Sequence, residues 1–174
     1  MKHLVLGGAR SGKSTFARQT AEQRAADTGT KPIMIVTAQA FDDEMRARIA
    51  AHQAERRDLW RTIEAPIDLP EAVDALEPGD VAVIDCLTLW LSNLMLGDHD
   101  IEAGVDDLCR SVQSTKAWLA IVSNEVGWGI VPDNALARRF RDDAGRLNQR
   151  MAEIADRVDL IVAGYAVTVK SNQI

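Results

Sequence analysis

The chain has 174 residues, a formal net charge of −6, 47% hydrophobic and 26% charged residues, which suits a globular chain long enough to close one core. The acidic balance argues against a nucleic-acid binder that relies on a broad basic surface. No apolar run approaches a membrane span, and the chain opens on a strand with no signal-peptide pattern, so a cytoplasmic protein with no membrane insertion is expected.

The first element is an apolar strand over about 3–7, and it leads into Gly7-Gly8-Ala9-Arg10-Ser11-Gly12-Lys13-Ser14. This octet fits the Walker A pattern G-x-x-x-x-G-K-[ST] without a mismatch, and a helix-like stretch from Lys13 to about Ala26 follows it, which is the context the motif requires. Glycines allow a tight turn, successive N–H groups form an anion-binding nest at a helix N-terminus, and Lys13 is expected to reach the β- and γ-phosphates. The Ser14 hydroxyl is the first candidate ligand for Mg²⁺. A nucleoside triphosphate, GTP or ATP, is the expected ligand.

A second β-rich stretch covers about 32–37, and a charged, partly amphipathic helix is expected over 42–58. Asp42, Asp43 and Glu44 would meet the positive end of that helix dipole. His52 lies three residues beyond Ile49 on the side of Met45 and Ile49. By spacing alone it is an ordinary surface or edge histidine, although neutral imidazole is also a competent nucleophile toward phosphorus.

A short helix over 69–76 precedes the turn Pro78-Gly79-Asp80 and the apolar run Val81-Ala82-Val83-Ile84-Asp85. The run reads as a buried parallel strand ending in a carboxylate, and nucleotides bind outside the carboxyl ends of such strands. Asp85 is therefore the Walker B candidate, holding Mg²⁺ directly or through water. Helices are expected over 88–96 and 101–116, with Gly97-Asp98-His99-Asp100 as a surface loop between them. Cys86 and Cys109 lack metal-ligand spacing and read as reduced thiols, and His3, His52 and His99 are scattered.

A strand over 118–123 comes next, followed by Asn124-Glu125 and a Gly127-Trp128-Gly129 turn, which place that turn at the ligand edge of the sheet. The longest helix is expected over 134–158, with an apolar stripe of Leu136, Phe140, Ala144, Leu147, Met151, Ile154 and Val158. Its other face carries Arg138, Arg139, Arg141, Arg146 and Arg150, as a solvated face or else for phosphate binding or a subunit contact. Strands over 158–163 and at Val167-Thr168-Val169 close the chain. Alternating strands and helices imply right-handed crossovers and a single α/β domain over 1–174, a P-loop NTPase-type three-layer fold with a mostly parallel central sheet.

Several of these segments together resemble one family. They are the Walker octet, Thr37-Ala38-Gln39, Asp42-Asp43-Glu44-Met45 with Arg48-Ile49 and a histidine shortly after, Trp60-Arg61-Thr62-Ile63-Glu64, and Ser123-Asn124-Glu125-Val126-Gly127-Trp128-Gly129-Ile130-Val131-Pro132. The chain is similar, from Leu4 to about Lys170, to the bifunctional adenosylcobinamide kinase / adenosylcobinamide-phosphate guanylyltransferases of cobalamin biosynthesis. The resemblance implies phosphorylation of the aminopropanol hydroxyl of adenosylcobinamide, then transfer of GMP from GTP to the new phosphate, with the GMP carried on a histidine. That position here is His52. It also implies guanine-nucleotide contacts at Gly7, Gly8, Ala9, Arg10, Ser11, Gly12, Lys13, Ser14, Thr37, Ala38, Gln39, Gln53, Ala54, Glu55, Arg56, Glu64 and Cys86, and a homotrimer. Some family members place two histidines together, whereas Ala51 precedes His52 here.

Within this frame the 124–129 turn is either a tight loop or a wall of the corrinoid or phosphate site, and Trp90, Trp118 and Trp128 either pack or touch the flat corrin. Two other readings stay open: a P-loop small-molecule kinase without the transferase step, and a nucleotide-dependent switch or ATPase. The Asn-Lys-x-Asp run that guanine-specific switches carry is absent.

Overall fold

The computed structural model describes residues 1–39 and 59–172. The elements in chain order are β1 (Lys2–Gly7), α1 (Lys13–Thr28), β2 (Ile33–Val36), β3 (Arg61–Glu64), α2 (Leu69–Asp74), β4 (Val81–Asp85), α3 (Leu87–Leu96), α4 (Ile101–Ser114), β5 (Trp118–Asn124), α5 (Ala135–Ile154), β6 (Arg157–Val162) and β7 (Tyr165–Ser171). The helix expected over 42–58 lies outside the described residues.

The strands form one seven-stranded sheet in the order β3-β2-β4-β5-β1-β6-β7. All neighbours are parallel except β6 and β7, which form an antiparallel hairpin. This is the mostly parallel sheet expected from alternating strands and helices. Register brings the carboxyl ends together: Val36 lies opposite both Glu64 and Asp85, Asp85 opposite Val122, and Gly7 opposite Asn124. With β1 inside the sheet between β5 and β6, its carboxyl end opens where successive connections depart to either side, the place where such sheets bind ligands.

Each strand splits its side chains between two layers, as a period of two requires. Val5, Val81, Val83, Ala120, Val122 and Ile161 pack against Ala17, Ala21 and Ala25 of α1. Steps of four between those alanines give α1 a small-residue stripe that sits close to the sheet. Leu4, Ala82, Ile84, Leu119 and Ile121 face the opposite way and pack with residues of α2, α3, α4 and α5. Helix ends follow their local chemistry. Gly29, at φ 68°, closes α1 in the left-handed conformation. Asp100 and Asn134 cap α4 and α5 by accepting the N–H groups of Ala103 and Ala137.

Three expectations change. The longest helix ends at Ile154 rather than reaching 158, and Val158 belongs to β6. A run of apolar residues at three- and four-residue steps continued past the helix because Val158, the buried second residue of β6, is in phase with it. Strand β3 has exposed Arg61, Thr62 and Glu64 and carries too weak an apolar pattern to announce itself, being an edge strand with one half-buried isoleucine. The last strand is longer than three residues, running from Tyr165 to Ser171.

Candidate active site

The loop from Gly7 to Ser14 turns between the end of β1 and the start of α1, using positive φ at Arg10 (55°) and Gly12 (97°). Glycine at position 7 is required by contact: a Cβ there would lie 2.5 Å from Ser11 Oγ and 2.8 Å from the carbonyl oxygen of Ile161. The turn between β6 and β7 braces the loop from outside, with the Gly164 N–H donating to the Ser11 carbonyl at 2.8 Å. Lys13 is 8% exposed and its Nζ donates to the Gly8 carbonyl at 3.0 Å, so the ammonium lies over the loop. Ser11 Oγ is buried without a hydrogen-bond partner among the described residues.

Ser14 Oγ donates to Asp85 Oδ1 at 3.3 Å, joining the first residues of α1 to the end of β4. This hydroxyl–carboxylate pair is the donor set that a hard, oxygen-seeking cation takes, and it fits Mg²⁺. Beyond Asp85 the peptide bond to Cys86 is cis. Thr37 Oγ1 meets both polar groups of the Cys86 backbone, donating to its carbonyl at 2.7 Å and accepting its N–H at 2.9 Å. Burial, and then the charge of Asp85, push the Cys86 thiol above its ordinary range, so it stays protonated and unreactive at neutral pH.

The edge therefore gathers Gly7 to Ser14, Thr37, Asp85 and Cys86, with half-buried Ala38 and Gln39 following Thr37. Glu64 ends β3 at the same edge, two strands away from Asp85, and is exposed. His52, Gln53, Ala54, Glu55 and Arg56 lie outside the described residues.

Several supporting polar residues carry no motif. Asn93, buried in the apolar helix α3, donates from Nδ2 to the carbonyls of Thr37 (2.7 Å) and Pro66 (2.9 Å), tying the segments after β2 and β3 together. Thr88 Oγ1 accepts the Asn124 N–H at 2.7 Å, and Asn148 Nδ2 donates to the Asn124 carbonyl at 3.2 Å. The readable signal was a lone amide within Leu-Thr-Leu-Trp-Leu-Ser-Asn-Leu and within Gly-Arg-Leu-Asn, since a buried amide needs partners.

The tryptophans divide. Trp90 and Trp118 are buried, and Trp90 donates to the Ile67 carbonyl, so neither is available to a flat ligand. Trp128 is 76% exposed on the loop after β5, beside exposed Ile130 and Val131. The α5 arginines are mostly engaged locally: Arg138 donates to the carbonyls of Pro132 and Asp133, Arg141 pairs with Asp142, Arg146 with Asp143, and Arg150 with Asp106 of α4. Among the described residues no group of three or more His, Cys, Asp or Glu side chains could hold a metal ion, and no helix is long and apolar enough to cross a membrane.

A family model described as cobinamide kinase / cobinamide phosphate guanyltransferase matches residues 3–169. The chain belongs to this family. Curated relatives named bifunctional adenosylcobalamin biosynthesis proteins agree over nearly the whole length. The Pseudomonas aeruginosa CobP is 43% identical over 173 residues, covering 98% of each chain. The Salmonella typhimurium CobU is 42% identical over 188 residues, covering 98% of this chain and all of the relative. The Escherichia coli CobU is 40% identical over 186 residues with the same coverage. A Pyrococcus horikoshii structure, described as a study of project PH0250, superposes with a TM-score of 0.51 at 11% identity over 99% of this chain and 87% of that one, a likeness of fold alone. As a member of the cobinamide kinase / guanyltransferase family the protein is an enzyme, and both half-reactions in the family's description begin from a nucleotide polyphosphate.

Proposed function

We propose that both reactions run on one triphosphate cradle, Gly7 to Ser14, and that His52 carries the GMP from GTP to the acceptor phosphate. Cobinamide, in its adenosyl form, is the alcohol that is phosphorylated, and its phosphate then receives GMP from GTP. The observation that carries the reading is the corner where the loop, Ser14 and Asp85 meet at the carboxyl ends of β1 and β4, within a chain of this family.

Loop N–H groups and Lys13 bind the phosphates and oppose the charge that grows on them during transfer. Ser14 and Asp85 are the residues that would hold Mg²⁺, which when bound neutralises phosphate charge. Thr37, Ala38, Gln39, Glu64 and Cys86 lie along the sheet edge on the β2 side and serve the nucleoside, together with Gln53, Ala54, Glu55 and Arg56. In guanylyl transfer the imidazole nitrogen of His52 forms a bond to the α-phosphorus of GTP and pyrophosphate leaves. The acceptor phosphate oxygen then displaces the histidine, restoring the free imidazole. GTP serves the transfer, and GTP or ATP the kinase step.

The loop after β5, with Trp128, Ile130 and Val131 turned to solvent, gives an apolar wall for the corrinoid ring. The exposed Val162, Tyr165 and Val167 of the β6–β7 hairpin support self-association, as the homotrimer that the sequence resemblance implies. The protein works in the cytoplasm on small molecules and without nucleic acid.

Incubation with α-labelled GTP tests the histidine. The enzyme is expected to take up acid-labile label that survives denaturation, and His52→Ala is expected to lose all of it while binding GTP. Retained covalent label in His52→Ala excludes the assignment. A monomeric mass in solution would exclude the trimer.

A further inference from the structure

Two carboxylates stand at the carboxyl ends of adjacent strands, Asp85 at the end of β4 and Glu125 directly after β5. They are held differently. Asp85 accepts from Ser14 Oγ, which commits it to the cation side of the phosphate loop. Glu125 is half-buried, and its own N–H donates to the carbonyl of Gly7, the first residue of that loop, at 3.0 Å.

The residue before it is clamped at both polar groups of its backbone. The N–H of Asn124 goes to Thr88 Oγ1 from α3, and the carbonyl of Asn124 accepts from Asn148 Nδ2 of α5. The Glu125 carboxylate is itself oriented, because Oε1 accepts the Gly127 N–H at 2.8 Å. Asn148 is only 6% exposed and its Oδ1 is buried with no partner among the described residues. A buried amide that uses only its donor half is a poorer core residue than an aliphatic one. What that amide does in this structure is hold the Asn124 carbonyl.

We propose that Glu125 is the carboxylate that receives the proton of the acceptor hydroxyl in the kinase step, and that Asn148 is the positioning residue that fixes its turn against the phosphate loop. The proposal rests on the triphosphate lying on Gly7 to Ser14, but not on His52. In the step, the hydroxyl oxygen of cobinamide forms a bond to the γ-phosphorus. The bond from that phosphorus to the β–γ bridging oxygen breaks, and the nucleoside diphosphate leaves with the electron pair. The hydroxyl proton passes to the free oxygen, Oε2, of Glu125. A carboxylate oriented by the Gly127 N–H, on a residue whose own N–H bonds the first residue of the loop and whose preceding peptide is clamped by α3 and α5, meets the demand that a general base be fixed before the reactants meet.

Glu125→Gln separates this role from turn formation, because the amide oxygen still accepts the Gly127 N–H while the basic oxygen is lost. With cobinamide and nucleotide as substrates, kcat for phosphorylation is expected to fall on the order of 100-fold or more, as for loss of a general base. The nucleotide KM is expected to stay nearly unchanged, and the acidic limb of the pH–rate profile to disappear. Covalent labelling by α-labelled GTP is expected to persist in this variant.

Asn148→Leu keeps the side-chain volume and removes the donor. It is expected to lower the kinase kcat about tenfold, with the acidic limb retained and the nucleotide KM unchanged, as for a catalytic group displaced slightly rather than removed. A purely structural Asn148 would instead lower the melting temperature and leave kcat and the pH profile of the folded enzyme as they were. Kinase turnover in Glu125→Gln within threefold of the parent overturns the proposal. So does parallel loss of kinase and covalent labelling, which would place Glu125 in the shared triphosphate cradle. Failure of the parent enzyme to take up label sinks the His52 reading and leaves this comparison standing.

Discussion

At Gly7, the root of the corner between β1 and α1, the chain is packed to its limit, whereas at the corner between β5 and α5 it is left open. In the first, a methyl group on Gly7 would strike Ser11 Oγ and a backbone oxygen, and the β6–β7 turn bonds to the loop from outside. In the second, a Cβ on Gly129 would meet nothing within 4 Å, and Trp128, Ile130 and Val131 face water. Both corners lie at the same sheet edge, joined by the bond from Glu125 N–H to the Gly7 carbonyl. The difference matches what each corner is proposed to bind. A polyphosphate is small and highly charged, so its site is a rigid array of donors. A broad apolar partner needs surface rather than enclosure.

The sharpest way to break this comparison is Gly7→Ala. The added carbon has backbone on one side and a buried side chain on the other. Its expected cost is about 1–3 kcal/mol of stability, in the range for overpacking. With the donors displaced, both half-reactions are expected to fall at least 100-fold. Denaturant unfolding and the two activity assays check this, and an active variant of parental stability would show that the loop is not the rigid element described.

Trp128→Ala probes the open corner. Because the ring is exposed, stability is expected to change by less than about 0.5 kcal/mol. The KM for cobinamide is expected to rise roughly three- to tenfold with the nucleotide KM unchanged, the size of one aromatic contact. Unaltered cobinamide KM would remove the loop from the corrinoid site.

The smallest effect belongs to the foot of β1, at the far end from the phosphate loop. His3 Nε2 lies 2.8 Å from Asp159 Oδ2, and Arg157 and Thr168 also bond that carboxylate. Burial holds the His3 pKa below its ordinary value; the Asp159 hydrogen bond and charge oppose that shift, while the Arg157 charge adds to it. A folded pKa depressed below the unfolded one means that the unfolded chain binds the proton first. This contribution to stability is therefore complete above about pH 6.5 and is lost as pH falls toward the folded value. Burial works to raise the Asp159 pKa, but hydrogen bonds from Arg157, Thr168 and His3 bring it below the ordinary carboxylate range, so its contribution is lost only in stronger acid. Denaturant midpoints measured from pH 7.5 to 5 are expected to fall in the parent and to fall less steeply in His3→Gln. Equal slopes would show that His3 does not titrate this way.

The sequence by itself determined the phosphate loop, the carboxylate at the end of β4, the alternation of strands and helices, and the family. These are local facts: glycines are needed where the backbone must turn, and buried parallel strands need continuous apolar runs. It did not reveal β3, whose exposed side chains leave no pattern, and it carried α5 four residues too far because Val158 continued the helix stripe by coincidence. Only the tertiary structure decided which of the four tryptophans is open and placed the Gly164 turn against Ser11. It alone brought Asn148 to the carbonyl of Asn124, 24 residues away in the chain. Such pairings form because buried donors and acceptors must find partners in whatever layer packs against them, and spacing along the chain carries no record of that choice.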